Sequence, residues 1–192
     1  LLCLTAISAI ILGMGMTTTA VYITVAALIV PSLIQAGVTP IAAHMFAFYF
    51  GVVSTITPPV ALASFAGAAI AKSPPMATAV ESSKVGIAKY IVPFAFIYNP
   101  SLLMEGSYWI SLYSLLSVLL AYWSMTLGLE GYLNKPLNIY TRIIAFVSSI
   151  LLLLPPLSFF YDMSGFLLNG VGLVILIFIY FIQGKFDLGQ VK

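Results

Sequence analysis

Residues 50–65 read FGVVSTITPPVALASF, and they interrupt a long run of apolar sequence. The polar and helix-breaking residues of this stretch are Ser54, Thr55, Thr57, Pro58 and Pro59. A proline cannot donate a backbone hydrogen bond to the carbonyl four residues before it, so two consecutive prolines break a helix. Within a bilayer, such a break is tolerated only where it is buried in protein or lines a water-filled cavity. The stretch therefore predicts a broken membrane helix whose break has a function.

The composition is that of an integral membrane protein. Of the 192 residues, 62% are hydrophobic and 6% are charged, whereas a soluble domain has about 25% charged residues. The apolar runs are continuous, which favours helices, and we predict an all-α, multi-pass fold. The net charge of +2 is too small to indicate a nucleic-acid partner. The chain starts with LLCLTAISAI, which lacks the features of a signal peptide, and we expect further sequence before it.

The apolar sequence divides into an interrupted part and a plain part. The interrupted part consists of residues 1–36, around GMGMTTT, and residues 39–71, around STITPPV. As one helix, residues 39–71 would be about 50 Å long, against a hydrocarbon core of about 30 Å, so they are predicted to form one broken span. Four plain spans are predicted to follow, at about 86–103, 107–127, 139–157 and 165–182.

Capping and helix-breaking residues predict the ends of these segments. Thr39 and Pro40 are typical of an N-cap and a first helical residue, and Gly37 is typical of a helix stop. Residues 72–83, KSPPMATAVESS, are predicted to be a polar connector. The prolines predicted to kink or close helices are Pro31, Pro93, Pro155 and Pro156.

The charged residues predict the topology. Under this span count, all basic residues lie on one side of the membrane: Lys72, Lys84, Lys89, Lys135, Arg142, Lys185 and Lys192. The loops of the other side carry no Lys or Arg and contain Gly37, Glu105 and Asp162. Cytoplasmic loops are enriched in Lys and Arg, so we predict that the basic loops are cytoplasmic.

The two interruptions predict the chemistry of a binding site. The prolines are predicted to free the carbonyls of Ser54 and Thr55, while Gly13 and Gly15 weaken the first segment before its three threonines. Paired interrupted segments indicate a transporter binding site, although each alone could be a kink repaired by hydroxyl back-bonding. A helix N-terminus suits an anion, and freed carbonyls suit a cation. No Asp or Glu precedes Glu81, which favours sodium held by neutral oxygens over a carboxylate proton relay.

A family resemblance rests on stretches spaced along the first half of the chain. They are GMGMTTTAVYITVAALIVPSLIQAGVTPIAAHMFAFYFGVVSTITPPVALASFAGAAIA and, further on, IVPFAFIYNPSLL. These stretches resemble the last part of the large membrane subunit of tripartite ATP-independent periplasmic (TRAP) transporters. AAHMFAFYFG and IVPFAFIYNPSLL resemble the TAXI branch, in which the two membrane subunits are fused. The resemblance covers about residues 1–104, and residues 107–182 resemble the C-terminal extension of such fused permeases.

The resemblance implies a fold and a set of partners. Residues 1–104 would be half of an inverted-repeat, elevator-type transport domain. In it, residues 1–36 form a re-entrant hairpin, residues 39–71 form the facing broken helix and residues 86–103 form a transmembrane helix. Residues 105–192 would be an extension with three transmembrane helices. The implied partners are a periplasmic substrate-binding protein, a small organic anion such as a carboxylate, the remaining N-terminal part of the permease, and the lipid bilayer of the bacterial inner membrane.

The predicted site residues come from both interruptions. Those predicted to bind substrate are Gly15, Thr17, Thr18, Thr19, Thr57, Pro58 and Pro59. Those predicted to hold a coupling Na⁺ are Gly13, Gly15, Thr18, Ser54, Thr55 and Thr57. No catalytic residue and no enzymatic cofactor are predicted, because an intramembrane enzyme needs a nucleophile with a base. His44, the only histidine, is predicted to be a hydrogen-bonded packing residue, with substrate or proton work as the alternative.

Two other functions remain open at this point. In an ion channel, the same breaks would form a static filter, although channels usually repeat around a pore axis and this sequence shows no such repeat. In a non-transporting scaffold subunit, the breaks would only shape the packing. Saturable, sodium-dependent uptake would distinguish a transporter from both.

Overall fold

The computed structural model describes residues 1–133, 135–154 and 164–183. Within these ranges the chain is helical, with no strand beyond an isolated bridge between Tyr132 and Pro136, and the all-α prediction is confirmed. The chain divides into two compact units, Leu1–Leu103 and Met104–Lys192. The helices of the first unit are α1 (Leu2–Leu12), α2 (Thr18–Leu28), α3 (Val30–Gln35), α4 (Pro40–Val53), α5 (Leu62–Ala71), α6 (Pro75–Val85), α7 (Ile87–Tyr98) and a 3₁₀ helix (Pro100–Leu103). Those of the second unit are α8 (Tyr108–Glu130), α9 (Ile139–Leu153) and α10 (Ser164–Gln183).

Helix α4 is the centre of the first unit. It packs against α1, α2, α3 and α7. Phe46 and Phe50 of α4 and Phe94 of α7 form an aromatic cluster with ring centroids 4.8 to 5.7 Å apart. Small residues of α1 and α4, such as Ala9 and Ala43, are fully buried and let the helices approach closely.

The predicted helix stop at Gly37 and the predicted helix start at Thr39 and Pro40 are confirmed. Gly37 has φ +91°, and the N–H of Val38 donates to the carbonyl of Leu33 over 3.1 Å, as in a glycine-terminated helix end. Helix α4 starts at Pro40 with Thr39 as N-cap. The Thr39 hydroxyl makes no capping bond, and its buried Oγ1 has no hydrogen-bond partner.

Pro31 and Pro93 have different effects. Pro31 is the second residue of α3, and the apolar run of residues 18–35 is divided at Ile29 into α2 and α3. Pro93 lies inside α7, and its ring is fully buried. A proline within a membrane helix is tolerated where neighbouring helices cover it.

The predicted polar connector at residues 72–83 is largely helical, because most of that stretch is helix α6. Pro75 takes the first helical position, where its missing N–H costs nothing. The hydroxyls of Ser82 and Ser83 donate to carbonyls one turn back, of Thr78 and Ala79, over 2.8 and 3.0 Å. This back-bonding satisfies the polar side chains within the helix, and α6 packs against α5.

The first predicted plain span, residues 86–103, is not one helix. Helix α7 ends at Tyr98 after 12 residues, and the 3₁₀ helix begins at Pro100. At 1.5 Å per residue α7 is about 18 Å long, which is shorter than a hydrocarbon core of about 30 Å. The pair Asn99-Pro100 ends the helix because the residue before a proline is driven away from helical geometry.

Helix α8 has the length of a full span. With 23 residues, it is the one helix of the described ranges that is both long and apolar enough to cross a membrane. The shorter apolar helices are Leu2–Leu12, Thr18–Leu28, Pro40–Val53, Leu62–Ala71, Ile139–Leu153 and Gly165–Phe181.

Serine hydroxyls join the three helices of the second unit. Ser117 of α8 donates to the Leu152 carbonyl of α9 over 2.6 Å, and Ser124 donates to Ala145 over 2.8 Å. Ser148 of α9 donates to Gly172 of α10 over 2.7 Å. Hydrogen bonds from small polar residues commonly stabilise the packing of membrane helices, since apolar side chains gain little by leaving lipid.

Arg142 ties the start of α9 to the end of α8. Its Nε donates to the Gly128 carbonyl over 2.8 Å, and its Nη2 donates to Leu129 over 2.7 Å. A cation there satisfies carbonyls that have no partner within the helix and complements the helix dipole. The predicted helix end at Pro155 and Pro156 and the predicted loop or tail positions of Asp162, Lys185 and Lys192 lie outside the described residues.

Candidate functional site

The first interruption separates α1 from α2. We call residues 13–17 the glycine interruption. Gly15 has φ +82°, which only glycine adopts at low cost, and the space where its side chain would lie is open. Thr17 is the N-cap of α2 but its side chain makes no capping bond. Thr17 and Thr19 are exposed and Thr18 is half-buried, so none of these predicted substrate contacts belongs to the buried core.

The second interruption separates α4 from α5. We call residues 54–61 the proline interruption; its Pro58–Pro59 peptide bond is cis. The hydroxyls of Ser54, Thr55 and Thr57 each donate to a carbonyl three or four residues earlier, over 2.6, 2.7 and 2.7 Å. This is the back-bonding expected of serine and threonine where a helix is disrupted.

The prediction of two freed carbonyls needs correction. The Ser54 carbonyl accepts a long bond from the N–H of Thr57, at 3.4 Å, and the Thr55 carbonyl accepts from Ala63 at 3.0 Å. The prolines remove the usual donors, but the chain turns so that N–H groups of the loop and of α5 replace them. A carbonyl oxygen has two lone pairs, so each can still bind a cation.

The two interruptions touch each other at Gly13 and Ser54. The Ser54 hydroxyl lies 3.1 Å from the Gly13 carbonyl, and Ser54 is 1% exposed. A side chain at position 13 would place its Cβ 2.6 Å from the Ser54 Cβ, which is closer than atoms can pack. Residues 41 positions apart in sequence thus form one buried contact, and only glycine fits there.

A hydroxyl network beside the proline interruption was not predicted. Thr57 Oγ1 lies 2.7 Å from the Tyr90 hydroxyl of α7, which lies 3.3 Å from Ser83 Oγ of α6. Ser83 Oγ in turn donates to the Ile56 carbonyl over 3.0 Å. Sequence reasoning missed Ser83 and Tyr90 because it placed residue 83 in a connector and treated residues 86–103 as a plain span.

His44 is held by a tyrosine, as predicted for a packing residue. Its Nδ1 lies 3.0 Å from the Tyr22 hydroxyl of α2, and both side chains are half-buried. The ring of Tyr22 also packs edge-on against the ring of Phe48, with the ring centroids 5.8 Å apart. The contact joins α2 to α4 at a position about three turns before the proline interruption.

The oxygen atoms at both interruptions are neutral. Glu81 is the first carboxylate in the chain, and it pairs at the surface with Lys84 over 3.0 Å. Across the described ranges, no group of three or more His, Cys, Asp or Glu side chains could hold a metal ion. Carbonyl and hydroxyl oxygens at helix interruptions can bind a monovalent cation, and helix N-termini can bind an anion.

A family model defines the class of protein. The model described as "Tripartite ATP-independent periplasmic transporter, DctM component" matches residues 1–108, which is more than half of the chain. The chain therefore belongs to the DctM family of TRAP transporter permeases, and the predicted family is confirmed. It is a membrane transporter component and not an enzyme, and TRAP permeases work with a periplasmic substrate-binding protein. No curated protein and no solved structure matches the chain.

Proposed function

We propose that this chain supplies half of the transport site of a permease that takes up a small organic anion across the bacterial inner membrane, coupled to sodium. The contact between Ser54 and Gly13 carries the proposal, because it joins two helix interruptions from consecutive apolar segments. Binding sites of secondary transporters are built from discontinuous helices in this way.

Sodium as the coupling ion is supported by the kind of oxygen that lines the interruptions. Thr55 and Thr57 contribute hydroxyl oxygens, and the carbonyls of Ser54 and Thr55 have a second lone pair each. No carboxylate precedes Glu81, so a proton relay has no carboxylate carrier in this part of the chain.

An organic anion as substrate is supported by the N-terminus of α2. The first N–H groups of a helix have no partner within it, and the Thr17 side chain does not cap them. The exposed Thr17 and Thr19 hydroxyls lie at the same helix end. A carboxylate fits this combination of N–H groups, hydroxyls and positive helix dipole.

The remaining parts of the proposal follow from the family. We propose that α1 and α2 form a re-entrant hairpin, that the first unit moves as half of an elevator-type domain, and that a periplasmic substrate-binding protein delivers the anion. Another part of the permease would supply the other half of the site.

The sodium dependence of uptake by Thr57→Ala tests the proposal. The complete permease, with its binding protein, is reconstituted and uptake is measured against sodium concentration. Losing one hydroxyl contact to a cation costs about 1.5–3 kcal/mol, so the half-saturating sodium concentration should rise roughly ten- to a hundredfold. Thr57→Ser, which keeps the hydroxyl, should restore most of the affinity.

Thr24→Ala is the matched control. Thr24 of α2 makes the same kind of bond as Thr57, from Oγ1 to the carbonyl four residues earlier, over 2.9 Å. Its removal should leave the sodium curve in place. An unaltered sodium curve in Thr57→Ala, at normal uptake and expression, would exclude this site from sodium binding.

A further inference from the structure

The hydroxyl network at the proline interruption connects three separate elements. Thr57 belongs to the interruption, Tyr90 to α7 and Ser83 to α6, and their oxygens are linked over 2.7 and 3.3 Å. Ser83 closes the network because its single hydroxyl proton is shared between the carbonyl of Ala79 and that of Ile56, the residue before Thr57, each 3.0 Å away. All three side chains are half-buried.

Each hydroxyl has one proton, and either Thr57 or Tyr90 can donate the bond between them, which defines two orders of the network. In the first, Thr57 donates to the Val53 carbonyl, over 2.7 Å, and accepts from Tyr90. In the second, Thr57 donates to Tyr90, Tyr90 donates to Ser83, and Ser83 donates to the Ile56 carbonyl. The second order leaves both lone pairs of Thr57 Oγ1 free and releases one lone pair of the Val53 carbonyl. A cation at Thr57 favours the second order, because only in that order can both Thr57 Oγ1 and the Val53 carbonyl oxygen bind it.

The packing at Gly86 fixes the network to the interruption. Gly86 lies between α6 and α7, and a Cβ at this position would come within 2.7 Å of Ile56 Cδ1. The corner between α6 and α7 therefore lies directly on the Ile56 side chain. This contact keeps Ser83 and Tyr90 within hydrogen-bonding distance of the proline interruption.

We propose that Tyr90 and Ser83 are positioning residues, which set the direction of the Thr57 hydroxyl proton and thereby the affinity of the interruption for the coupling cation. The inference rests on the proposed sodium site. Tyr90 accepts a hydrogen bond from Thr57 when the cation binds, and Ser83 accepts a hydrogen bond from Tyr90. Neither side chain need touch the ion.

Tyr90→Phe in the complete permease, supplied with its binding protein, tests this role. Without the phenol oxygen, the Thr57 proton returns to the Val53 carbonyl, and that carbonyl is lost to the cation. The half-saturating sodium concentration should rise about two- to tenfold. The maximal uptake rate and the half-saturating substrate concentration at high sodium should stay unchanged. Ser83→Ala should shift the sodium curve in the same direction, and it replaces Tyr90→Phe if that variant fails to reach the membrane.

Two comparisons separate positioning from a structural role. Tyr22→Phe removes a tyrosine hydroxyl of the same unit that bonds to His44 instead, and it should leave the sodium curve unchanged. The double variant Thr57→Ala with Tyr90→Phe should match Thr57→Ala alone, because Tyr90 acts through Thr57. Multiplied effects, or a Tyr90→Phe curve that is normal while that of Thr57→Ala is shifted, would overturn the inference and leave the sodium site standing. A normal curve in Thr57→Ala would overturn both.

Discussion

Gly13 and Ser54 are the pair of residues on which the arrangement of the site depends. The missing side chain of Gly13 lets Ser54 approach, and the Ser54 hydroxyl is shared between the carbonyls of Gly51 and Gly13, over 2.6 and 3.1 Å. Sequence patterns singled out both residues, because glycine and serine interrupt apolar runs. That the two residues touch could not be predicted, since 41 positions separate them.

Gly13→Ala should disrupt the contact between the interruptions. Its Cβ would collide with the Ser54 side chain, and overpacking of this kind costs about 1–3 kcal/mol. We expect a lower thermal stability of the purified permease and at least about a tenfold loss of uptake. Gly67→Ala on α5, where a Cβ would meet nothing within 4 Å, is the matched control and should behave as wild type.

A second substitution tests the cause of that loss. Gly13→Ala combined with Ser54→Gly removes the colliding side chain and should recover most of the stability. If the double variant is no more stable than Gly13→Ala alone, the collision with Ser54 is not the reason for the defect.

At the scale of elements, the helix stop at Gly37 and the helix start at Pro40 were predicted, and helix partners were not. Thr39-Pro40 and Gly37 act on the backbone of their own neighbourhood, and the helices begin or end at these residues. Helix α6 was missed because its serines satisfy their hydroxyls on its own backbone, which composition does not show. The proline interruption was predicted from Pro58 and Pro59, yet its carbonyls find donors that depend on the path of the chain.

Pro58→Ala with Pro59→Ala should let α4 continue through the interruption. The restored N–H groups could then donate to Ser54 and Thr55 in an ordinary helix. We expect expression to persist while sodium-dependent uptake is lost, as measured by transport in proteoliposomes. If the interruption is only a packing kink, stability or expression will fall and the sodium dependence of the remaining uptake will be normal.

Arg142→Ala should loosen the joint between α8 and α9. Hydrogen bonds to a charged group contribute about 1.5–3 kcal/mol each, so a clear drop in melting temperature is expected. Arg142→Lys should recover only part of it, because lysine lacks the planar fork that reaches two carbonyls. Lys135→Ala, which removes an exposed lysine from the loop before α9, is the control and should melt as wild type. Equal melting temperatures for Arg142→Ala and wild type would show that the two bonds contribute nothing.

At the scale of the whole molecule, the first unit carries both interruptions and the second unit consists of α8, α9 and α10. The family match ends at residue 108, close to the boundary between the units. Lys72 lies at the C-terminal end of α5. Ser83, next to Lys84, and Tyr90, next to Lys89, bond to the interruption at the N-terminal end of α5. Lys72 therefore lies at the opposite end of α5 from Ser83 and Tyr90, and the location of all basic residues on one side of the membrane stays a prediction.

Cysteine labelling tests the predicted topology. Cys3 is exposed, so Cys3→Ala provides the background for single cysteines. Cysteines at Gly37 and Glu105 should react with an impermeant reagent added to the periplasmic side, and those at Lys72 and Lys135 should react only after the membrane is opened. Strong labelling of position 135 from outside would overturn the predicted number of spans.

The sequence by itself determined the class of this protein: an all-helical, apolar chain of the TRAP permease family, interrupted at two places by glycine and by proline. Composition and helix-breaking residues act locally, so they can be recognised without knowing what lies nearby in space. Only the tertiary structure decided that Gly13 receives Ser54, that Thr57 reaches Tyr90 and Ser83, and that Arg142 closes the end of α8. Each of these contacts depends on how separate helices pack. The sequence shows that a hydroxyl or guanidinium is present, but it does not show which carbonyl or hydroxyl that group will bind.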